Sequence, residues 1–197
     1  MPEGDDSMSV MRTAAELPIR AISIDDFQRM GEIGVFAENE HVELLDGRPI
    51  AMPPQSEEHA FAIQRISEVL RAAIGLRGVL RSQSPIALNE FTHLEPDVVV
   101  LRTGRADEGI RLPGAADVVL AVEVSRSSLA YDRGEKRDAY AGAGVPELWV
   151  VDLVHRRVEV SDLPRSDGYR RTVVLTPGDD VRLCEYEVRI SIAAFLT

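Results

Sequence analysis

Two short stretches of this chain contain no polar residue: Val98 to Leu101, and Val118 to Val122 within "DVVLAVEVSRSS". A strand with one face in water alternates apolar and polar residues, whereas a strand that does not alternate is covered on both faces. A chain with two such strands needs material on either side of its sheet. The rest of the pattern supplies it. In "PPQSEEHAFAIQRISEVLRAAI" the prolines stop a strand and Ser56 is placed to cap a helix. Ala60, Ile63, Ile66, Val69, Leu70 and Ala73 then recur at helical spacing. "ISIDDFQRM" predicts a short helix with Ser23 as N-cap and Asp26 completing a capping box. "YDRGEKRDAYAGAG" predicts another helix, closed by glycine.

Strands account for most of the remainder. "HVELLDGRPIAM" alternates around Asp46-Gly47 and predicts a β-hairpin. "GVLRSQSPIALN" holds one or two strands, "PELWVVDL" a buried one, and "RRVEVSDLP" with "YRRTVVL" an antiparallel pair; "ISIAAFLT" fits one helical turn. The expected fold is α/β in the mixed α+β sense, a central mixed β-sheet flanked by helices. With 197 residues the chain suits one domain, expected over residues 19–197. Residues 1–18, "MPEGDDSMSVMRTAAELP", are acidic, lack the apolar segment of a signal peptide, and are expected to form a short flexible leader. No apolar run reaches the roughly 20 residues of a membrane-spanning helix. A lone cysteine, Cys184, makes no internal disulfide, so a reducing cytoplasm is the expected location.

The net charge of -11 argues against a protein that simply coats nucleic acid, because affinity for a phosphate backbone comes from Lys and Arg. It leaves room for an enzyme that holds a divalent cation, which needs local negative charge. Asp97 opens the first apolar strand and Glu123 lies near the end of the second. If the two strands are antiparallel neighbours, pairing Leu101 with Val119 sets Asp97 opposite Glu123 at one sheet edge. Two adjacent carboxylates in a partly dry site repel, and one is pushed towards protonation. A divalent cation removes that cost, and Mg²⁺ is commonly held by one or two carboxylates plus waters and phosphate oxygens. Phosphoryl transfer also calls for a cation that steadies the developing charge, and Lys136, in the helix that follows Glu123, is the candidate.

The bland readings stand beside this. A single carboxylate at a strand end is commonly a solvated end, and Lys136 within "DRGEKRD" looks like an exposed helix lysine. Glu123 is harder to dismiss, since Val122 and Val124 enclose it. Asp132, His41, His93 and His155 are assigned to the surface by default, and Trp149 to the core.

In combination, "EPDVVV", "LAVEVSRSS" and "YDRGEKRDAYAGAGVPELWVVDL", preceded by "HVELLDGRPIAMPPQSEEHAFAIQRI", resemble the Uma-two family of putative restriction endonucleases, within the PD-(D/E)XK nuclease superfamily. The similarity runs from about residue 20 to 160, and more loosely to the C-terminal "ISIAAFL". It implies a restriction-endonuclease-like core, a DNA substrate, and Mg²⁺ or Mn²⁺ bound by Asp97 and Glu123. In the standard pattern the catalytic lysine lies two residues after the glutamate, where this chain has Ser125. The resemblance then implies a lysine moved to the following helix, at Lys136. Glu43 resembles an extra acidic residue that many superfamily members bring from an upstream element, binding metal directly or through water. His59 opens a helix, where the dipole favours the neutral imidazole. It either positions phosphate or water, or caps and packs beneath the site. Tyr140, one turn beyond Lys136, is expected to orient the lysine by packing. A homodimer suits an enzyme that cuts both strands of a duplex.

Two other functions were weighed. A nuclease fold retained as a weakly active or inactive binding or regulatory module would explain the acidic charge and Ser125. A carboxylate-pair glycosidase lines its cleft with aromatics, and a chain that is 5% aromatic argues against it.

Overall fold

The computed structural model describes residues 20–104 and 111–196. The expected leader over residues 1–18 lies outside them. The first helix, α1 (Ile24–Glu32), is capped as expected: the Ser23 hydroxyl accepts from the Asp26 N–H at 3.2 Å. Strands β1 (Val42–Leu45) and β2 (Arg48–Ala51) form the expected hairpin. Its turn residues, Asp46 and Gly47, both take positive φ, which a two-residue type I′ connection requires. Helix α2 (Glu57–Ile74) starts at Ser56, whose hydroxyl accepts from the His59 N–H at 3.2 Å.

Strands β3 (Gly78–Ser82), β4 (Ile86–Asn89), β5 (Thr92–Leu94), β6 (Val98–Arg102) and β7 (Val118–Ser125) follow. The helix expected from "YDRGEKRDAYAGAG" is not continuous. A short α3 (Leu129–Tyr131) runs into one π-helical turn, Asp132–Lys136, whose backbone departs from helical geometry at Gly134. Helix α4 (Arg137–Gly142) resumes after it. Strands β8 (Glu147–Asp152), β9 (Arg157–Arg165) and β10 (Gly168–Leu175) then complete the main sheet. Strands β11 (Asp180–Leu183) and β12 (Val188–Ser191) form a separate antiparallel ribbon, and the last helical turn is 3₁₀, Ile192–Ala194.

The central sheet has six strands in the order β10-β9-β8-β7-β6-β3. Only β7 and β8 are parallel to one another; the other neighbours are antiparallel, which makes the sheet mixed. A four-stranded sheet, β2-β1-β5-β4, packs to one side. The antiparallel β6–β7 pairing is Val98↔Val122, Val99↔Ala121 and Val100↔Leu120, the register expected from the sequence. A bulge then pairs Leu101 with Val118 rather than Val119. The slip falls away from the carboxylate end, so it leaves Asp97 beside Glu123.

The absence of alternation in β6 and β7 has the expected cause. Val98, Val100, Val122 and Val124 face α2, Trp149 and the ribbon; Val99, Leu101, Val118 and Ala121 face Leu45, Ile86, Tyr140 and Val150. Helix α2 presents Ala62, Ile63, Ile66, Leu70 and Ile74 to the sheet. Of the predicted stripe, Ile63, Ile66 and Leu70 are buried and Val69 and Ala73 pack against the same core, whereas Ala60 is exposed and Ala62 takes its place. Burying each large aliphatic side chain in this stripe stabilises the fold by about 1.5–3 kcal/mol. The ring of Trp149 stacks on Phe195 at 6.2 Å, in the core where it was expected.

Candidate active site

Five elements deliver the five candidate residues to one point. Pro96 ends the approach to β6 and leaves Asp97 at the strand entrance, where its Oδ2 accepts the backbone N–H of Val124 at 2.7 Å. Antiparallel pairing brings Glu123 to the neighbouring position on β7. Helix α2 carries His59 in its first turn, with Nε2 3.2 Å from Asp97 Oδ2. The middle of β1 turns Glu43 inward, and its Oε1 accepts the Glu95 N–H at 2.9 Å. The π-turn swings Lys136 back over the strand ends, with Nζ 3.0 Å from Glu123 Oε1 and 3.1 Å from Glu43 Oε1.

Lys136 is not the exposed helix lysine that its charge-rich surroundings suggest; it is 2% exposed. It is also the sole lysine of the sequence, beside 21 arginines. That count was available from the sequence, and it marks Lys136 more sharply than its neighbours do. Tyr140 donates its hydroxyl to Glu123 Oε1 at 2.6 Å, so it fixes the glutamate rather than simply packing beneath the lysine. Asp132, assigned to the surface by default, is 2% exposed and accepts from the hydroxyls of Ser125 at 2.7 Å and Ser128 at 2.6 Å. Its spacing, one turn before Lys136, was the signal in the sequence. His41 is half-buried in the wall of the cleft, with Nε2 3.6 Å from Glu95 Oε2. His93 is half-buried against the Phe27 ring, and His155 is at the surface as expected.

The electrostatics follow from a shortage of cations. Burial raises the Glu123 carboxyl well above its ordinary range; the Lys136 ammonium opposes this, while Asp132, Asp97 and Glu43 add to it. Burial alone lowers the Lys136 amine, but Glu123, Glu43 and Asp132 outweigh it and hold the ammonium well above its usual value. For His59, burial disfavours the cation, yet pairing with Asp97 prevails and the imidazole titrates above its ordinary value. The helix-dipole expectation of a neutral ring therefore yields to a carboxylate in contact.

The site opens into a cleft of about 140 Å³, walled by the Pro53-Pro54 segment after β2 and the Arg126-Ser127-Ser128 loop after β7. Among the described residues, no three His, Cys, Asp or Glu side chains form a ready metal cage. The donor set suits a hard cation that keeps waters of its own. Among the described residues, Asp97 and Glu123 each use one oxygen on protein partners, Oδ2 and Oε1, leaving Oδ1 and Oε2 without one. Glu43 Oε2 is buried and unpartnered as well. Two carboxylate oxygens beside an acidic excess fit a divalent cation of the Mg²⁺ kind.

Comparison with known proteins gives a consistent assignment. A family model described as "Uma2: Putative restriction endonuclease" matches residues 24–193. No match was found among curated proteins. Among solved structures, the chain is similar to "a putative nuclease belonging to DUF820" from Anabaena variabilis ATCC 29413. The TM-score is 0.72 at 14% identity, covering 89% of this chain and 97% of the other. At that identity the likeness shows a shared fold.

Proposed function

Because the chain belongs to the Uma2 family of putative restriction endonucleases, we propose that it is a metal-dependent endonuclease hydrolysing DNA phosphodiester bonds, with Asp97 and Glu123 holding Mg²⁺ or Mn²⁺. The observation that carries this reading is the cluster itself: two carboxylates with free oxygens, side by side at the entrance of β6 and on β7, under the chain's one lysine.

The reaction adds water to phosphorus and breaks one P–O ester bond, leaving a phosphate monoester and a hydroxyl. A divalent cation bound between Asp97 and Glu123 supplies charge neutralisation and a more acidic water. The protein's own groups do the positioning. Val124 N–H and His59 fix the Asp97 carboxylate, and Tyr140 fixes Glu123. The Lys136 ammonium is held at the cleft with its third N–H to offer the negative charge that grows on the phosphoryl oxygens. Glu43 holds that ammonium as well, accepting from it at 3.1 Å. The acidic remainder of the surface limits non-specific binding, so productive contact with DNA falls to the cleft. Action in the cytoplasm as a single domain, in a pair of copies when both strands are cut, completes the proposal. Among the described residues no helix is long and apolar enough to cross a membrane.

Purified protein incubated with supercoiled plasmid and Mg²⁺ or Mn²⁺ is expected to nick or linearise it, and Asp97→Ala to abolish this. Undiminished cutting by Asp97→Ala overturns the assignment. One observation favours a second reading, a nuclease fold kept as a binding module: Lys136 already has two carboxylate partners. Calorimetry separates the two readings. No heat of Mn²⁺ binding at millimolar concentration, together with binding of an uncut duplex, supports the module.

A further inference from the structure

The π-turn that carries Lys136 is tied down at two successive residues, and the ties reach three adjacent strands. Asp132 accepts from Ser125, the last residue of β7. Arg133 donates to Asp152 Oδ2 at 3.3 Å, at the last residue of β8, and also bonds Glu159 on β9. Ser125 and Asp152 are register partners in the parallel β7–β8 pair. The turn therefore straddles the matched ends of both strands, and Lys136 projects from it four residues after Asp132 and three after Arg133.

Ser125 is fully buried, and Ser128 closes the arrangement by donating to the same Asp132 oxygen. A hydroxyl buried in a strand end needs a partner, and packing alone would be met by alanine. Ser125 lies two residues after Glu123 on the same face of β7, so its side chain points towards the site rather than away from it. Asp132 is itself buried and lines the cleft. A carboxylate held by two hydroxyls, beside a lysine already facing two glutamates, adds negative charge where charge is already in excess. Its cost is offset by the placement of the turn.

We propose that Ser125, Asp132 and Ser128 form a strut that positions Lys136 for the chemistry, with Arg133–Asp152 as its second anchor. They act as positioning residues, since none need touch the substrate. The proposal rests on the nuclease reading above for its effect on rate, and on geometry alone for its effect on the lysine. An ammonium on a four-carbon stem has many rotamers, and a lysine on a helix lacks the rigidity of one on a central strand. The strut supplies that rigidity by fixing the turn to the strand from which the lysine is missing.

The single lysine makes the test direct. Protein labelled with [¹⁵N]lysine has one side-chain Nζ resonance, which reports the environment of Lys136 whether or not the protein cuts DNA. Ser125→Ala and Asp132→Asn are expected to shift and broaden that resonance, and Ser128→Ala to shift it less. In plasmid cleavage with Mn²⁺, Ser125→Ala is expected to lower kcat by about 10–100-fold with KM within about twofold, as a misplaced catalytic group does. The Ser125→Ala/Asp132→Asn double variant should be no slower than the slower single variant, because both remove the same contact. Val181→Ala, in the distant ribbon, serves as a control of reduced stability. The strut is overturned if Ser125→Ala and Asp132→Asn leave the Nζ resonance at its wild-type position, or if kcat falls no further than in Val181→Ala. A wild type that does not cut DNA sinks the nuclease reading alone, and the resonance still decides the strut.

Discussion

At the ends of the parallel strands β7 and β8 lie two buried carboxylate clusters, and they are neutralised in opposite ways. At the β8 end, Asp152 is surrounded by Arg133, Arg157 and His155, with Glu159 beside Arg133. Burial pushes the Asp152 carboxyl up, but the His155 backbone N–H, its ring and the Arg157 guanidinium outweigh that and hold it below its ordinary value. At the β7 end, Glu123, Glu43, Asp97 and Asp132 share one ammonium and one imidazole among the described residues, and Glu123 is pushed up instead. A cluster whose carboxylates are matched by guanidinium groups is complete and locks a turn. A cluster with cations in deficit keeps an excess of negative charge. On the proposed reading, this contrast separates a structural carboxylate from one that would receive a metal ion.

The largest effect expected from this contrast is on activity. Lys136→Met keeps most of the side-chain volume and removes the charge. Plasmid cleavage with Mn²⁺ is expected to fall by roughly 10²–10³-fold, the scale for losing a preorganised charge-stabilising donor. Asp152→Asn, one strand away, is expected to retain cleavage within about tenfold. Equal losses in the two variants would break the contrast.

The same difference should appear without any substrate. If the β7 cluster lacks a cation, Mn²⁺ at about 100 times its Kd stabilises the wild type by about 2.7 kcal/mol, a rise in Tm of roughly 5–10 °C for a chain of this size. Thermal unfolding monitored by Trp149 fluorescence should show the rise in wild type and Asp152→Asn, and lose it in Asp97→Ala. A rise that survives Asp97→Ala places the cation elsewhere.

How far these clusters were legible in the sequence differs for each. The β6–β7 register could be read because two non-alternating runs flank one connection, and their pairing brings the Asp97 and Glu123 positions together. The bulge at Leu101 could not, since the residues on either side of it are equally apolar. Strands β5, β11 and β12 are three or four residues long, too short for period-2 alternation to stand out. The break in the "YDRGEKRDAYAGAG" helix falls at Gly134, a residue that weakens a helix, but the ties of Asp132 and Arg133 to Ser125 and Asp152 leave no record in the local pattern. The burial of Lys136 was hidden for the same reason: "DRGEKRD" looks solvated until the partners on β1, β7 and β8 are in place. The exposure of Ala60 is a smaller miss, because Ala60 and Ala62 fit a helical repeat equally well until the sheet selects one.

A third effect concerns stability alone. Asp152→Ala leaves Arg133 and Arg157 without their shared carboxylate, and both are partly exposed, so water takes up part of the loss. Urea unfolding at pH 7 is expected to show a cost of about 2 kcal/mol, the scale of hydrogen bonds to a charged group. Metal-induced stabilisation should be retained. A neutral result would mean that the arginines around Asp152 contribute nothing to the fold.

The smallest effect is the pH dependence, and it has opposite signs at the two ends of β8. Asp152 has a folded pKa below its unfolded value of about 3.9. Its contribution to stability is therefore complete above that value and is lost as pH falls towards the folded pKa. Glu147, at the other end of the strand, is buried with Trp149 Nε1 donating to it at 2.7 Å; burial raises its carboxyl and the Trp149 bond only partly opposes the rise. A raised carboxyl has the reverse sign: its contribution is complete below the unfolded value of about 4.3 and is lost as pH rises through the folded pKa. Glu147 thus reproduces the burial that raises Glu123, at a position away from the candidate metal ligands. Urea unfolding of Asp152→Asn and Glu147→Gln between pH 3.5 and 7 tests both signs. Relative to wild type, Asp152→Asn should lose ground as pH rises, and Glu147→Gln should gain it. Parallel curves for the two variants would show that the balance of neighbouring cations does not set the state of a buried carboxylate in this sheet.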